Sequence, residues 1–260
     1  MFDTLKTPDT FDIGGDMPVG RIGYGAMRLT GQPGNFGAYA DWDAGVALLR
    51  AAYEQGVTFF DSARSYGPLW ADKVVGEALG DTDAILATKG GVDKPAPDRI
   101  TVDGSPDTLR RQVEDALIHM RRSRIDLFQL HRVDPETPIE VSVEALAKMQ
   151  SEGMIRHIGL SNVDRTQLDR ALSVAPIASV QNRFNAAERG DAALVDFTAQ
   201  EGIAFIPYGP LGAHPMQAGA ALDPRDALAW LMRRSTNIVA IPGSTNAAHV
   251  TENLSAWALV

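Results

Sequence analysis

Eight short apolar runs alternate with longer amphipathic stretches along almost the whole chain, and this alternation is the strongest constraint on its fold. The runs are RIGYG at 21–25, VTFF at 57–60, AILAT at 84–88, IDLFQL at 125–130, IRHIGL at 155–160, IASVQ at 177–181, IAFIPY at 203–208 and NIVAIP at 237–242. They are short and rich in β-branched and aromatic residues, which is typical of strands that are covered on both faces.

The stretches between these runs have the pattern of helices. The segment 43–56 begins with Asp43, a suitable N-cap, and stops at a glycine. The segment 105–123 places Pro106 at the first helical position, and a further helix is expected near 226–233. Strands that alternate with helices predict parallel pairing through right-handed crossovers. Eight such units in 260 residues predict an α/β fold, a (β/α)8 TIM barrel in one domain over residues 1–260, with a short N-terminal β-hairpin cap within 1–20.

Composition narrows the possible partners. The formal net charge is −9, which argues against a general binder of nucleic acid or of an anionic membrane, because phosphate contacts need an excess of cations. The chain has no cysteine, which excludes disulfides, thiolate nucleophiles and cysteine-ligated zinc. No apolar run has the length of a signal peptide or a membrane span, so a cytoplasmic location is expected, with a small-molecule substrate and a monomer or weak homo-oligomer.

Four polar residues fall where predicted strands end, which is the catalytic face of a barrel of this type. Asp61 ends the second strand and Tyr66 follows it, while Lys89 and His131 come at the ends of the third and fourth strands. An ammonium group favours the phenolate form of a nearby tyrosine, and a carboxylate keeps that ammonium charged. A histidine at the same place can orient a carbonyl oxygen. The set therefore suits carbonyl reduction, with a nicotinamide cofactor supplying the hydride.

Seven pieces of sequence occur in one order along the chain: DSARSYG at 61–67, ATKGG at 87–91, LHRVD at 130–134, GLSN at 159–162, VQNRFN at 180–185, PYGPLG at 207–212 and IPGSTNAAHVTEN at 241–253. Together they resemble the aldo-keto reductase family of bacterial type, over residues 8–258. Seven ordered pieces are a far more specific signal than one short motif. The resemblance implies reduction of aldehydes or ketones to alcohols, with Tyr66 as general acid, the Lys89–Asp61 pair lowering the pKa of Tyr66, and His131 orienting the carbonyl.

The resemblance also implies a cofactor site for NADPH or NADP, with NADH possible. The implied cofactor-binding residues are Gly25, Met27, Ser161, Asn162, Gln181, Tyr208, Gly209, Leu211, Gly212, Pro242, Gly243, Ser244, Thr245, Asn246, His249, Glu252 and Asn253. Among them Ser161, Asn162 and Gln181 would hold the nicotinamide carboxamide, and Tyr208 would stack on its ring. Arg28, Trp70 and Arg132 are the candidate substrate-binding residues.

The chain departs from the family pattern in two places. Gly243 and His249 stand where many members carry a Lys or Arg for the adenosine 2′-phosphate, which weakens the expectation of NADPH over NADH. The segment 211–237 is short for the loop after strand seven, and no C-terminal tail follows the last helix. The short segment and the absent tail together predict an open and poorly selective substrate pocket.

Other functions remain open on the sequence alone. The same fold could belong to a cofactor-binding regulatory or scaffold protein with little turnover. A lyase or aldolase that uses Lys89 as a Schiff-base nucleophile is disfavoured by Asp61, since a paired lysine stays protonated. A metal-dependent hydrolase is the least favoured, because no His-x-His pair or carboxylate cluster lies at the strand ends, and no metal site is expected.

Overall fold

The computed structural model describes residues 10–212 and 223–260, and its centre is a closed ring of parallel strands. Seven strands of the described residues form it: β3 Tyr24–Gly25, β4 Phe59–Asp61, β5 Ile85–Gly90, β8 Ile125–Leu130, β9 Ile155–Ser161, β10 Ser179–Gln181 and β11 Ala204–Phe205. They pair in the order β11, β10, β9, β8, β5, β4, β3, each parallel to its neighbour. Residues 238–240 close the ring, because Ile238 bridges to Phe205 and Ala240 bridges to Ile22, both in parallel sense. The predicted (β/α)8 barrel is confirmed.

A short hairpin covers one end of the barrel, as predicted. Its strands are β1, Thr10–Ile13, and β2, Met17–Gly20, which pair antiparallel. Ile13 and Met17 are fully buried and pack with barrel residues such as Phe59 and Leu127. The hairpin therefore contributes apolar side chains to the core inside the barrel, where they are removed from water.

In the part of the chain that the structure describes, eight α-helices surround the ring: α1 Trp42–Glu54, α2 Trp70–Leu79, α3 Pro106–His119, α4 Ile139–Ser151, α5 Arg165–Leu172, α6 Ala192–Gln200, α7 Pro224–Arg234 and α8 Ala247–Ser255. Short 3-10 turns occur at Ala26–Arg28 and Ala256–Leu259. The predicted N-cap of α1 was wrong by two residues: Asp41 accepts the Ala44 N–H at 3.1 Å, and Asp43 lies in the first turn. A second core layer lies between helices and strands, with buried residues such as Leu49, Val75 and Leu146.

Among the described residues, the structure contains a β-hairpin that the sequence did not predict. A second antiparallel hairpin, β6 Val92–Ala96 and β7 Arg99–Val102, follows β5 directly. Its irregular register between Asp93 and Ala96 and its proline-containing strand obscure the alternation that identifies strands. The expected helix near 226–233 is confirmed within α7, while residues 213–222 of the short segment lie outside the described residues. Within the described ranges, no helix is both long and apolar enough to cross a bilayer.

The sheet register determines which side chains meet inside the barrel. Successive side chains of a strand alternate between its two faces, so a residue two positions after an interior residue is also interior. Phe59, Ala87 and Leu127 belong to the interior core. The residues two positions later on the same strands are Asp61, Lys89 and Gln129. Since parallel strands end on the same side, these three polar residues lie at the carboxyl-terminal end of the barrel interior.

Candidate active site

The centre of the site is a buried ion pair between neighbouring strands. The Lys89 ammonium donates to Asp61 Oδ2 at 2.6 Å and to the Ser62 carbonyl oxygen at 2.7 Å. The lysine and aspartate side chains are 0% and 2% exposed. Burial alone would lower the pKa of Lys89, but the charge of Asp61 and the contact with Tyr66 raise it. Lys89 is therefore a cation at neutral pH, which excludes it as a free amine nucleophile.

Two amide side chains fix the other oxygen of Asp61. Gln129 and Gln181 each donate an Nε2 hydrogen bond to Asp61 Oδ1 at 3.0 Å. Gln181 also donates to Gln129 Oε1 at 3.2 Å. Gln129 is fully buried, and sequence reasoning missed it because a single glutamine within an apolar strand carries no motif. Its position two residues after the interior Leu127 is the signal that could have found it.

Tyr66 lies beside this pair, in the loop between β4 and α2. The Lys89 ammonium is 5.1 Å from the centre of the Tyr66 ring. Burial raises the pKa of Tyr66, Lys89 lowers it by its charge and by hydrogen bonding, and Asp61 and Tyr208 raise it. The net shift is upward, so the expected lowering by Lys89 is outweighed by burial. At neutral pH the phenol thus holds its proton.

His131 completes the predicted set of four, at the end of β8. Its ring meets the Tyr66 ring edge-on, with centroids 5.9 Å apart and planes at 85°. Ser65 Oγ lies 3.4 Å from His131 Nδ1. Burial, with the nearby charges of Lys89 and Arg132, holds the pKa of His131 well below its ordinary value. The imidazole is therefore neutral at pH 7 and can offer one N–H to a carbonyl oxygen.

A chain of hydrogen bonds connects His131 to the rim of the barrel. Asn162 donates to the His131 carbonyl oxygen and to Ser161 Oγ, both at 3.0 Å. The Tyr208 hydroxyl donates to Asn162 Oδ1 at 2.9 Å. Asn162 has a φ of 57°, a left-handed conformation that asparagine tolerates better than most residues. Ser161 Oγ donates to the Gln181 carbonyl oxygen at 2.9 Å. The structure thus brings Ser161, Asn162, Gln181 and Tyr208 together.

A second group of predicted residues meets where β3 ends. The Gly25 N–H donates to the Pro242 carbonyl oxygen at 3.3 Å. A Cβ on Gly243 would lie 2.6 Å from the Gly25 carbonyl oxygen and 3.9 Å from Arg28 Cγ, so only glycine fits there without a shift. Arg28 is exposed and has no hydrogen-bond or ion-pair partner within the described residues. Met27 beside it is 38% exposed.

The start of α8 collects further predicted cofactor residues. Asn246 caps the helix by accepting the Ala248 N–H at 2.9 Å. Ser244 Oγ lies 3.1 Å from His249 Nδ1, and Thr245 is exposed at the same turn. Glu252 is half-buried and Asn253 is buried on the following turn of the helix, so the amide of Asn253 is not presented on the surface.

The remaining predicted residues occupy separate positions. Gly209 and Gly212 have φ angles of 62° and 86° and are joined by a 3.0 Å backbone hydrogen bond, with Leu211 packed on the core between them. Trp70 meets Trp42 edge-on with ring centroids 5.7 Å apart, and the Lys73 ammonium lies 4.2 Å from the centre of the Trp70 ring. Arg132 is exposed, and its only described effect on the four-residue set is the lowering of the His131 pKa.

A buried carboxyl group that sequence reasoning also missed lies behind the ion pair. Asp72, in the first turn of α2, is 1% exposed. Its Oδ1 accepts from Ser62 Oγ at 2.5 Å and from Thr88 Oγ1 at 2.9 Å, while Oδ2 is buried and has no hydrogen-bond partner among the described residues. Burial raises the pKa of Asp72 to about 6, against the lowering effects of Ser62 and Thr88.

Comparison with known proteins identifies the family of this chain. The sequence model of the Aldo/keto reductase family matches residues 21–226. An uncharacterized oxidoreductase of Schizosaccharomyces pombe is 38% identical over 257 residues, covering 93% of this chain and 83% of the relative. Pyridoxine 4-dehydrogenase of Escherichia coli is 38% identical over 266 residues, covering 95% of this chain and 92% of the relative.

Solved structures show the same fold. A glycerol dehydrogenase from Gluconobacter oxydans matches with a TM-score of 0.82 and 26% identity, covering 94% of this chain and 88% of the other. An aldo-keto reductase from Klebsiella pneumoniae, solved in complex with NADPH, matches with a TM-score of 0.79 and 26% identity, covering 98% and 91%. The chain therefore belongs to the aldo/keto reductase family of oxidoreductases.

Proposed function

We propose that this chain reduces aldehydes or ketones to alcohols with a reduced nicotinamide cofactor and with Tyr66 as the proton donor. One observation carries the proposal: a fully buried Lys89–Asp61 pair lies against Tyr66, and a neutral His131 meets the same tyrosine ring. Those groups supply what carbonyl reduction needs from a protein, namely a proton for the oxygen and a donor that orients it.

The residues of the chain divide the work as follows. His131 orients the carbonyl oxygen through its N–H. Tyr66 transfers its proton to that oxygen as the carbon gains a hydride, and the resulting phenolate is stabilised by the Lys89 charge and later takes a proton from water. A nicotinamide cofactor, when bound, would supply that hydride. The raised pKa of Tyr66 keeps the acid form populated, while the cation limits the cost of losing the proton.

The residues at the barrel mouth fit a dinucleotide. Asn162 and Ser161 offer side-chain polar groups beside His131, and the half-buried Tyr208 ring is held by its hydroxyl on Asn162. Gly209 and Gly212 leave backbone accessible, and Ser244, Thr245 and the start of α8 provide donors suited to phosphate. The NADPH complex of the Klebsiella pneumoniae relative supports NADPH as the cofactor, and Arg28, exposed beside Gly243, is the cation we propose for its 2′-phosphate.

The substrate proposed for the first trial is pyridoxal. The support is the 38% identity to Escherichia coli pyridoxine 4-dehydrogenase over 95% of this chain. Trp70 and Arg132 are retained as proposed substrate contacts, since an aromatic wall and a cation suit a planar ring with polar substituents.

The test is oxidation of NADPH and of NADH, followed by absorbance, with pyridoxal and a reactive aromatic aldehyde as substrates. We expect wild-type turnover and a loss of at least ~100-fold in kcat for Tyr66→Phe, because general acid catalysis contributes about that much or more. Tyr53→Phe, a tyrosine on α1 whose hydroxyl bonds Asp83, is the matched control and keeps wild-type activity. Retained activity in Tyr66→Phe would refute the proposed role. Tight cofactor binding without turnover would favour the regulatory alternative.

A further inference from the structure

We propose that Asp72 is a positioning residue, which holds the Asp61–Lys89 pair in place from helix α2 and sets the charge around Lys89. The inference rests on the proposed function, because it concerns the same site, but it assigns a role to a residue outside the four-residue set.

The geometry of the contacts carries the inference. Ser62 directly follows Asp61, its carbonyl oxygen accepts from the Lys89 ammonium at 2.7 Å, and its hydroxyl donates to Asp72 Oδ1 at 2.5 Å. Thr88 directly precedes Lys89, and its hydroxyl donates to the same Oδ1 at 2.9 Å. Asp72 Oδ1 therefore links the end of β4 to β5 through the two residues that adjoin the Asp61–Lys89 pair.

The chemical identity of the side chain requires a further explanation. A neutral acceptor such as asparagine could receive both hydroxyl hydrogen bonds. The Asp72 carboxyl group is 1% exposed, and one of its oxygens is buried without a hydrogen-bond partner in the described parts of the chain. This arrangement is costly, because an unsatisfied buried polar atom loses its hydration. The charged groups that act on it are Lys89, from β5, and Arg64, from the loop after β4, and both lower its pKa. The Asp72 carboxylate therefore interacts favourably with the Lys89 ammonium, which a neutral side chain at this position would not do.

The first test separates position from stability. Thr88→Val removes one donor to Asp72 without changing side-chain shape, and we expect kcat to fall about 3- to 10-fold, the loss of one hydrogen bond, with KM unchanged. Asp72→Ala removes the acceptor of both hydroxyl hydrogen bonds and should reduce kcat further. Adding Thr88→Val to Asp72→Ala should then cause no additional loss of kcat, because the hydrogen-bond partner of Thr88 is already gone.

The control is Thr198→Val: Thr198 is fully buried, accepts from Asn237, and lies on α6 away from the site. It should lose stability and keep kcat.

The second test separates charge from shape. Asp72→Asn keeps an acceptor for Ser62 and Thr88 but removes the charge, so above about pH 6 its kcat should lie between that of Asp72→Ala and that of the wild type. The pH profile of kcat should lose an inflection near 6, the value to which burial raises the Asp72 pKa. If Asp72→Ala does not fold, Thr88→Val and Asp72→Asn still decide the matter.

A third readout does not depend on turnover. Carboxyl carbon NMR of labelled protein, with the Asp72 signal assigned by its absence in Asp72→Asn, reports the Asp72 pKa directly. Lys89→Met should raise that pKa, because the cation that lowers it is gone. An unchanged pKa in Lys89→Met would overturn the inference, as would Asp72→Ala and Thr88→Val variants that behave like Thr198→Val. Neither result bears on Tyr66→Phe, so failure of the inference and failure of the proposed function are distinguishable.

Discussion

The free energy of unfolding of Asp72→Asn, measured relative to that of the wild type, should increase as the pH rises from about 4.5 to about 7.5. The pKa of Asp72 is raised from 3.8 to about 6 in the folded state by burial. Between these two values the folded protein binds more protons at this site than the unfolded chain does. The wild type therefore loses stability as the pH rises through this window, whereas an asparagine at this position does not titrate.

The magnitude follows from the size of the shift. About two pKa units at 1.36 kcal/mol each correspond to about 3 kcal/mol of destabilisation once Asp72 is fully ionised. Roughly a third of this is already present at about pH 4.5, so about 2 kcal/mol should develop across the experimental window. Any cost of the amide at the unpartnered Oδ2 position is the same at each pH. It shifts the absolute difference between variant and wild type and leaves its pH dependence unchanged.

Urea unfolding of wild type and Asp72→Asn at several pH values measures this difference. Asp134→Asn is a control for which the pH dependence of stability should have the opposite sign. Burial raises the pKa of Asp134, but hydrogen bonds from Glu136, Gly104 and Thr137 lower it, and the net shift is downward. The contribution of Asp134 is therefore present above its unfolded pKa and is lost as the pH falls through its folded pKa. A difference between Asp72→Asn and wild type that does not change with pH would show that Asp72 is not a raised, buried carboxyl group.

Three further predictions concern the site and its support. Gln129→Leu removes a donor to Asp61 Oδ1 and should lower kcat by ~10-fold or more at nearly constant cofactor affinity, since hydrogen bonds to charged groups contribute about 1.5–3 kcal/mol. Gly76→Ala would place a Cβ 2.0 Å from the His119 carbonyl oxygen and should destabilise the protein by about 1–3 kcal/mol in thermal unfolding, whereas Gly190→Ala, with open space around its Cβ, is the neutral control. Because the pKa of His131 lies well below its ordinary value, proton NMR should find its imidazole neutral near pH 6, and a His131 signal titrating at the ordinary value would contradict this.

Local patterns in the sequence were sufficient to predict the fold and to place polar residues at the strand ends. Strand propensity and helix caps are short-range properties, so eight strand–helix units could be identified from neighbouring residues. The ends of consecutive strands then placed Asp61, Lys89 and His131 on one side of the barrel, where the structure brings them together with Tyr66. The hairpin β6–β7 was missed because its register is irregular.

Only the tertiary structure decided which residues support the ion pair and how it is charged. Gln129 and Gln181 meet at Asp61, and Gln181 is 120 residues away in sequence, so their contact depends on the register of the closed sheet. Asp72 reads as an ordinary first-turn helix residue until burial and two hydroxyl donors identify its partners. The net rise in the Tyr66 pKa has the same origin: desolvation depends on how closely the surrounding chain packs, which sequence spacing does not determine.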